Sequence, residues 1–534
     1  MVRSTSLAIC ILASIYCGQI GAQTSPFPFQ QPSIDQLRAS PKKVFAHYFA
    51  PFPPYLVDSS GGDKYKNQYL KSDGASHTAW GAYLRERPLP PPAAYMPSDP
   101  DWRIKNMRLE VQRAKDMGLD GFTVDILNNS TDPDSSFSLA KLLMQAAVDV
   151  DPDNPATNYT GFKIIPMPDM DTLAPNGVAD PTVVAGIVQA LAAYPAAYRL
   201  PDGRLVVAPY DAQGVTGGAT WWNLWLQLMA SSMYNVNVAF LPLFQGWGAY
   251  RTDYKDISIG YSDWGISSAY RSALPLYTDA AASAHGVVGI WMAPVRAQDV
   301  RPKNGKYWES QNSLNLRKTW ETAIRPDLDS DPLKYRSDWV QLVTWNDYSE
   351  STEFSPSTQS QYGFYDLSAY YLAWFKSCNP DCVQPPITND VLYYFHRTHS
   401  SDPAVAPPHH VGAATFNQQA PEFQAPPNQT KPKYYDNIEL LGFLTAPGTL
   451  EIRVGGVTVK SQAVGAGIQS VLAPVTASTS GAVQFRLVRN GVPVALPNTD
   501  SGGWFSSAAS ISNNIDYQDM LYHAGSNSRL PVSP

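Results

Sequence analysis

The feature that most constrains this chain is a regular alternation of two periods. Between residues 42 and 377, short apolar β-prone runs take turns with stretches of helical period. Strands are expected at 44–49, 121–127, 163–167, 205–209, 238–243, 257–261, 287–291 and 340–345. Helices are expected between them, for example where Ile104, Met107, Val111, Ala114 and Met117 share one face before Gly118 stops the run. Parallel neighbours need a crossover at each step, and the helices supply it. Eight such units predict an α/β fold, a (β/α)8 TIM barrel over residues 40–385 with inserted loops. A doubly wound open sheet is the alternative. It would want a Gly-rich phosphate turn after the first strand, where this chain has Pro51, Pro53 and Pro54.

At 534 residues the chain is too long for one ordinary domain, and its pattern changes after Cys382. Residues 386–433 are rich in Pro, Ala and Gln, with little periodicity, and read as a linker or surface excursion. Residues 434–534 read as a C-terminal all-β sandwich. There, alternating runs turn at Gly455-Gly456 and at Asn490-Gly491, both strong hairpin signals. At the other end, Arg3, the apolar stretch 7–17 and the small residues Gly21 and Ala22 read as a signal peptide over 1–22. Secretion is therefore expected, to the extracellular space or a cell wall. Cys10 and Cys17 would leave with that segment, so Cys378 and Cys382 are expected to form one local disulfide. The sequons at Asn128, Asn129, Asn158 and Asn428 fit a glycosylated product. A net charge of −7 argues against nucleic acid or an anionic membrane as partner.

In a barrel of this kind, chemistry sits at the carboxyl ends of the strands. That rule selects His47 and Tyr48, Asp125, Asp169 with Asp171, Tyr210 with Asp211, Asp263 and Trp264, and the segment Trp345-Asn346-Asp347-Tyr348-Ser349-Glu350. Carboxylates mixed with aromatics suit sugar cleavage: two carboxyls divide acid and base work, while Trp and Tyr stack on the apolar faces of sugar rings. The 14 Trp and 30 Tyr serve such platforms or a large core equally well. Asp347 and Glu350 are the leading pair, with Asp169 third. Their spacing fits both the retaining and inverting separations, so it leaves the stereochemistry open. Bland readings compete. Asp347 could cap its segment with Glu350 solvated, Asp169 and Asp171 could be turn residues after Pro168, and Asp125 could be a structural acceptor. His47 is read as holding a sugar hydroxyl or orienting a carboxylate. No zincin spacing, nucleophile elbow or P-loop occurs, so neither metal nor cofactor is expected.

These residues resemble a known family. Val44-Phe45-Ala46-His47-Tyr48-Phe49, Gly121-Phe122-Thr123-Val124-Asp125, Pro168-Asp169-Met170, Trp291-Met292-Ala293-Pro294-Val295 and, above all, Val343-Thr344-Trp345-Asn346-Asp347-Tyr348-Ser349-Glu350-Ser351 are similar to glycoside hydrolase family 71, the fungal α-1,3-glucanases or mutanases. Leu392-Tyr393-Tyr394-Phe395-His396 also looks like family sequence. The resemblance implies an inverting, cofactor-free endo-hydrolase of α-1,3-glucan (glucan endo-1,3-α-glucosidase), with its essential Asp and Glu mapping onto Asp347 and Glu350. It departs from the family at Ser349, where Gly is commoner, and at Asp125, where Asn is usual. Two alternatives stand beside it: a non-catalytic wall-binding protein, which needs aromatics but not the carboxyl pair, and a hydrolase of another α-glucan. A monomer is expected.

Overall fold

A computed structural model describes residues 27–70, 86–264, 279–301, 306–308, 310–327, 332–379, 381–397, 437–475, 479–495, 504–505 and 523–528. The expected signal peptide, the sequon Asn428 and most of the expected linker lie outside them. The fold is mixed α/β. Its centre is a curled parallel sheet of seven strands: β1 (Lys43–Phe49), β2 (Gly121–Ile126), β3 (Lys163–Pro168), β6 (Leu243–Phe244), β7 (Gly260–Asp263), β8 (Ile290–Val295) and β11 (Trp339–Leu342), in the order β3-β2-β1-β11-β8-β7-β6. A separate parallel pair joins β4 (Leu205–Val207) to β5 (Val238–Phe240). Backbone bonds link this pair to both edges of the sheet. Ala208 and Tyr210 donate to the carbonyls of Pro166 and Pro168, and Leu243 donates to that of Pro209. Each of those prolines lacks an N–H, so the regular ladder is interrupted, although Met170 N donates back to Tyr210 O beyond Pro168. A short hairpin, β9 (Asp299–Arg301) with β10 (Lys306–Trp308), follows β8.

Strand alternation sorts side chains to two cores. Val44, Ala46 and Tyr48 of β1 join Phe122, Val340 and Leu342 in the outer core, under the helices. Phe45, Ile165, Met167, Val206, Leu241, Met292 and Trp339 fill the concave side. The helices are α1 (Ile34–Ala39), α2 (Trp102–Met117), α3 (Ser136–Val150), α4 (Met170–Leu173), α5 (Pro181–Ala192), α6 (Gly218–Ala230), α7 (Ala280–His285), α8 (Leu314–Ile324), α9 (Pro332–Tyr335) and α10 (Gly363–Lys376). Gly118, at φ 105°, ends α2 in the left-handed region, as its place after the last apolar residue suggests. Among the described residues, no helix is long and apolar enough to cross a membrane.

The C-terminal sheets form a sandwich. One has the order β16 (Gly467–Pro474), β13 (Asn437–Leu444), β12 (Val391–His396), β20 (His523–Ser526). The other has β15 (Val457–Val464), β14 (Gly448–Val454), β17 (Gly481–Arg489), β18 (Val492–Ala495), with β19 (Trp504–Phe505) beside β17. Both hairpin turns take the positive φ their residues favour: 58° and 81° at Gly455-Gly456, 51° and 77° at Asn490-Gly491. One expectation needs correction. Val391–His396 falls inside the stretch read as linker, yet it is a strand buried on both faces. Leu392 and Tyr394 enter the sandwich core, while Tyr393 and Phe395 enter the outer core of the α/β domain. All of α10 is buried because that sheet covers it: Phe364 stacks on Phe395 and Tyr370 meets Phe443 edge-on. Asn312 donates to the carbonyls of Phe395 and Asn437, and Glu439 accepts from the Ser313 N–H and hydroxyl. The Cys378–Cys382 disulfide is formed just beyond α10.

Candidate active site

His47 belongs to the inward-facing set of β1 with Phe45 and Phe49. Its Nδ1 lies 3.2 Å from Met167 Sδ, its Nε2 lies 3.9 Å from Asp125 Oδ2, and its ring meets Trp264 edge-on at 4.8 Å. Burial, helped by the Arg296 cation, pushes its pKa down to about 3, so the imidazole is neutral at ordinary pH. A neutral ring can exchange hydrogen bonds with a hydroxyl, whereas an imidazolium would only donate.

Beside it stands an acidic wall. Asp125 ends β2. Asp169 follows β3 and caps α4 by accepting from Thr172 N at 3.1 Å. Asp171 and Asp211 complete the group. Burial raises Asp125 well above the usual carboxylate range, and the charges of Asp169, Asp347 and Asp171 add to it. Burial first, opposed by the Thr172 N–H and reinforced by Asp171, brings Asp169 to about 6. Burial first, then a hydrogen bond with Asp171 and the charges of Asp171 and Asp169, bring Asp211 to about 7. Like charges this close hold protons into the neutral range. Asp125 Oδ1 is buried and has no hydrogen-bond partner among the described residues, which leaves an acceptor or acid for a ligand hydroxyl. Tyr210 accepts from Gln245 Nε2 at 2.9 Å and packs edge-on to Trp264 at 4.9 Å.

The loop after β11 faces this wall. Trp345 N donates to His47 O at 2.6 Å, which ties the loop to β1. Asp347 N donates to Thr344 Oγ1, while Asp347 Oδ1 accepts from Ser349 N, Ser349 Oγ and Glu350 N at 3.0, 2.7 and 3.3 Å. Those contacts fix the carboxyl's direction. Glu350 Oε2 lies 3.9 Å from Arg296 Nη2. Burial pushes the Tyr210 phenol up, and the charges of Glu350, Asp171, Asp169 and Asp125 push it further. Asp347 in turn acts on Asp125. The loop carboxyls and the wall are thus within electrostatic reach across one space. His47, Asp125, Asp169, Tyr210, Trp264, Asp347 and Glu350 are brought together.

Five expected site residues go elsewhere. Tyr48 points outward by alternation, packing on Phe122 with its hydroxyl toward Met107 Sδ. Trp345 also faces the outer core and donates its Nε1–H to Glu110 Oε2 at 2.7 Å. Asn346 braces the loop after β1: Oδ1 accepts from Phe49 N, and Nδ2 donates to the carbonyls of Phe49 and Phe52. Tyr348 is buried among Phe52, Tyr65 and Tyr69. Asp263 accepts from Gly246 N and Trp247 N, holding the turn after β6. Arg296 was not anticipated. It stands two residues past Pro294 in the inward register of β8, a parity the sequence contains. Of the described sequons, Asn129 and Asn158 are exposed and Asn128 is half-buried. No three His, Cys, Asp or Glu among the described residues are grouped to hold a metal ion.

The sequence model of glycosyl hydrolase family 71 matches residues 93–517. The chain belongs to that family. No curated protein matches it. Among solved structures it is similar to a GH99 endo-alpha-mannosidase from Bacteroides thetaiotaomicron, 12% identical over 63% of this chain and 97% of that one, with a TM-score of 0.43. A glycoside hydrolase-like protein is 15% identical over 66% and 96%, at 0.40. A glycosyl hydrolase family 2 member from Bacteroides cellulosilyticus is 8% identical over 76% and 43%, at 0.35. These scores are low, and the family match alone identifies the chain as a glycoside hydrolase.

Proposed function

We propose that this family 71 member is a secreted hydrolase of α-1,3-glucosidic bonds in α-1,3-glucan, acting within the polymer and with inversion. Glu350 serves as general acid, and Asp347 as the base that directs water. The observation that carries the reading is the placement of both carboxyls on one braced loop after β11, opposite Asp125 and Asp169. His47 and the Asp125 carboxyl would hold sugar hydroxyls, while Trp264 and Tyr210 offer ring faces. The backbone bonds through Pro166, Pro168 and Pro209 support closure of the sheet into a (β/α)8 barrel, with β5 and β6 as one strand broken at Pro242. Asn129 and Asn158 are the proposed glycan carriers, the leader over 1–22 would be removed, and the enzyme would act as a monomer.

The test is reducing-sugar release from insoluble α-1,3-glucan by Asp347→Asn and Glu350→Gln. Each variant is expected to melt as the parent does and to lose about 10²–10⁴-fold in rate. Near-parental hydrolysis by both would remove the site assignment.

A further inference from the structure

Arg296 sits at the mouth of the site rather than under the helices. The register of β8 turns Ile290 and Met292 to the concave side, and two-residue steps carry that register through Pro294 to Arg296. The guanidinium is buried, with 4% of its side chain exposed. Nη2 lies 2.7 Å from Asp299 Oδ2, on a carboxyl that is itself fully buried. The same Nη2 lies 3.9 Å from Glu350 Oε2, and the guanidinium carbon is 5.8 Å from the Trp264 ring. One buried cation therefore stands between two carboxyls, one tied to it at hydrogen-bond distance and one at the edge of ion-pair range. If the group served only packing, burial of a charge would be an unneeded cost. Its field is already felt elsewhere in the site, since it helps hold His47 neutral.

We propose that Arg296 is a positioning residue for the reaction: tethered by Asp299, it holds the Glu350 carboxyl against the β8 side of the site and sets the pH range in which Glu350 works. This rests on the assignment of Glu350 above. Among the described residues, Arg296 lies within ion-pair range of Glu350 with Asp299 tied to its guanidinium, Asp347 accepts from the Glu350 N–H, and Tyr210 feels the charges of Glu350, Asp171, Asp169 and Asp125 together. A neighbouring carboxylate opposes ionisation of Glu350, and among the described residues Arg296 is a cation within ion-pair range that favours it. An opposite charge at this distance moves a carboxyl's titration by about 1–3 units.

The experiment is the pH profile of kcat/KM on α-1,3-glucan for the parent, Arg296→Gln, Arg296→Lys, Asp299→Asn and Glu350→Gln. Glu350→Gln identifies the limb that Glu350 contributes, because that limb disappears. In Arg296→Gln the limb is expected to move to higher pH by about 1–3 units. Arg296→Lys keeps the charge and should restore most of its position. Asp299→Asn removes a competing anion, so its limb should move the opposite way, to lower pH. A purely structural role would lower activity at every pH without moving a limb. Unmoved limbs in the Arg296 and Asp299 variants, with Glu350→Gln slowed by about 10²–10⁴-fold and lacking its limb, would overturn the proposal and leave the site assignment standing. A fully active Glu350→Gln would instead remove the assignment on which the proposal rests. If Arg296→Gln does not fold, Arg296→Lys and Asp299→Asn decide the matter between them.

Discussion

Glu110 gives the account a sharp test, because it lies behind the site and yet holds it. The side chain is buried on α2, accepts the Trp345 Nε1–H at 2.7 Å and lies 3.6 Å from Arg113 Nη1. Burial pushes its carboxyl up to about 7 from 4.5, against the pull of Arg113 and Trp345 toward the anion. A folded value above the unfolded one means that the native state binds the proton more tightly. The stability from that proton is fully present below about pH 4.5 and is lost as pH rises to about 7. At about 1.4 kcal/mol per unit, the change is worth roughly 3 kcal/mol. Glu110→Gln removes the titration but keeps an oxygen to accept the Trp345 bond. Urea unfolding of parent and variant, followed by Trp fluorescence from pH 4.5 to 8, should show the variant gaining on the parent by roughly 3 kcal/mol across that window. Parallel stability curves would refute the reasoning.

Two further predictions concern the scaffold. Asn346→Ala strands the Phe49 N–H and the Phe52 carbonyl and leaves Phe49 O with the Phe52 N–H alone, which should cost roughly 2–4 kcal/mol of stability and lower kcat with it. A variant with parental stability would show that the loop after β1 does not depend on this brace. Ending the chain at residue 399 removes the strands flanking β12, uncovers Leu392 and Tyr394 on its sandwich face and strips Phe443 from Tyr370 of α10. That protein should be insoluble or unfolded by circular dichroism, and a soluble active product would contradict the bracing role of the sandwich.

The strands were legible because apolar residues recur with the period of a sheet, and the same parity separates His47 from Tyr48. Tyr48 has a residue type that suits a site, but parity overrides it: Val44 and Ala46 already point it to the outer core. Past Leu342 parity fails, since Trp345 faces the same outer core after an odd interval of three. Nothing local in Trp345-Asn346-Asp347-Tyr348 therefore tells which side chains reach the site. Their partners, Glu110, Phe49, Phe52 and Tyr65, are far away in sequence, so contact between them is a property of the fold. Val391–His396 escaped notice for a different reason: a strand buried on both faces shows no alternation. Arg296 carried a signal in its register, but its two carboxyl partners come from separate loops.

The most direct measurement is anomer-resolved NMR of the earliest products after the purified protein meets insoluble α-1,3-glucan. The account predicts glucose oligomers released with the β configuration at the new reducing end, and no such release by Asp347→Asn or Glu350→Gln. Protein that binds the solid but releases no sugar, or products that retain the α configuration, would contradict it.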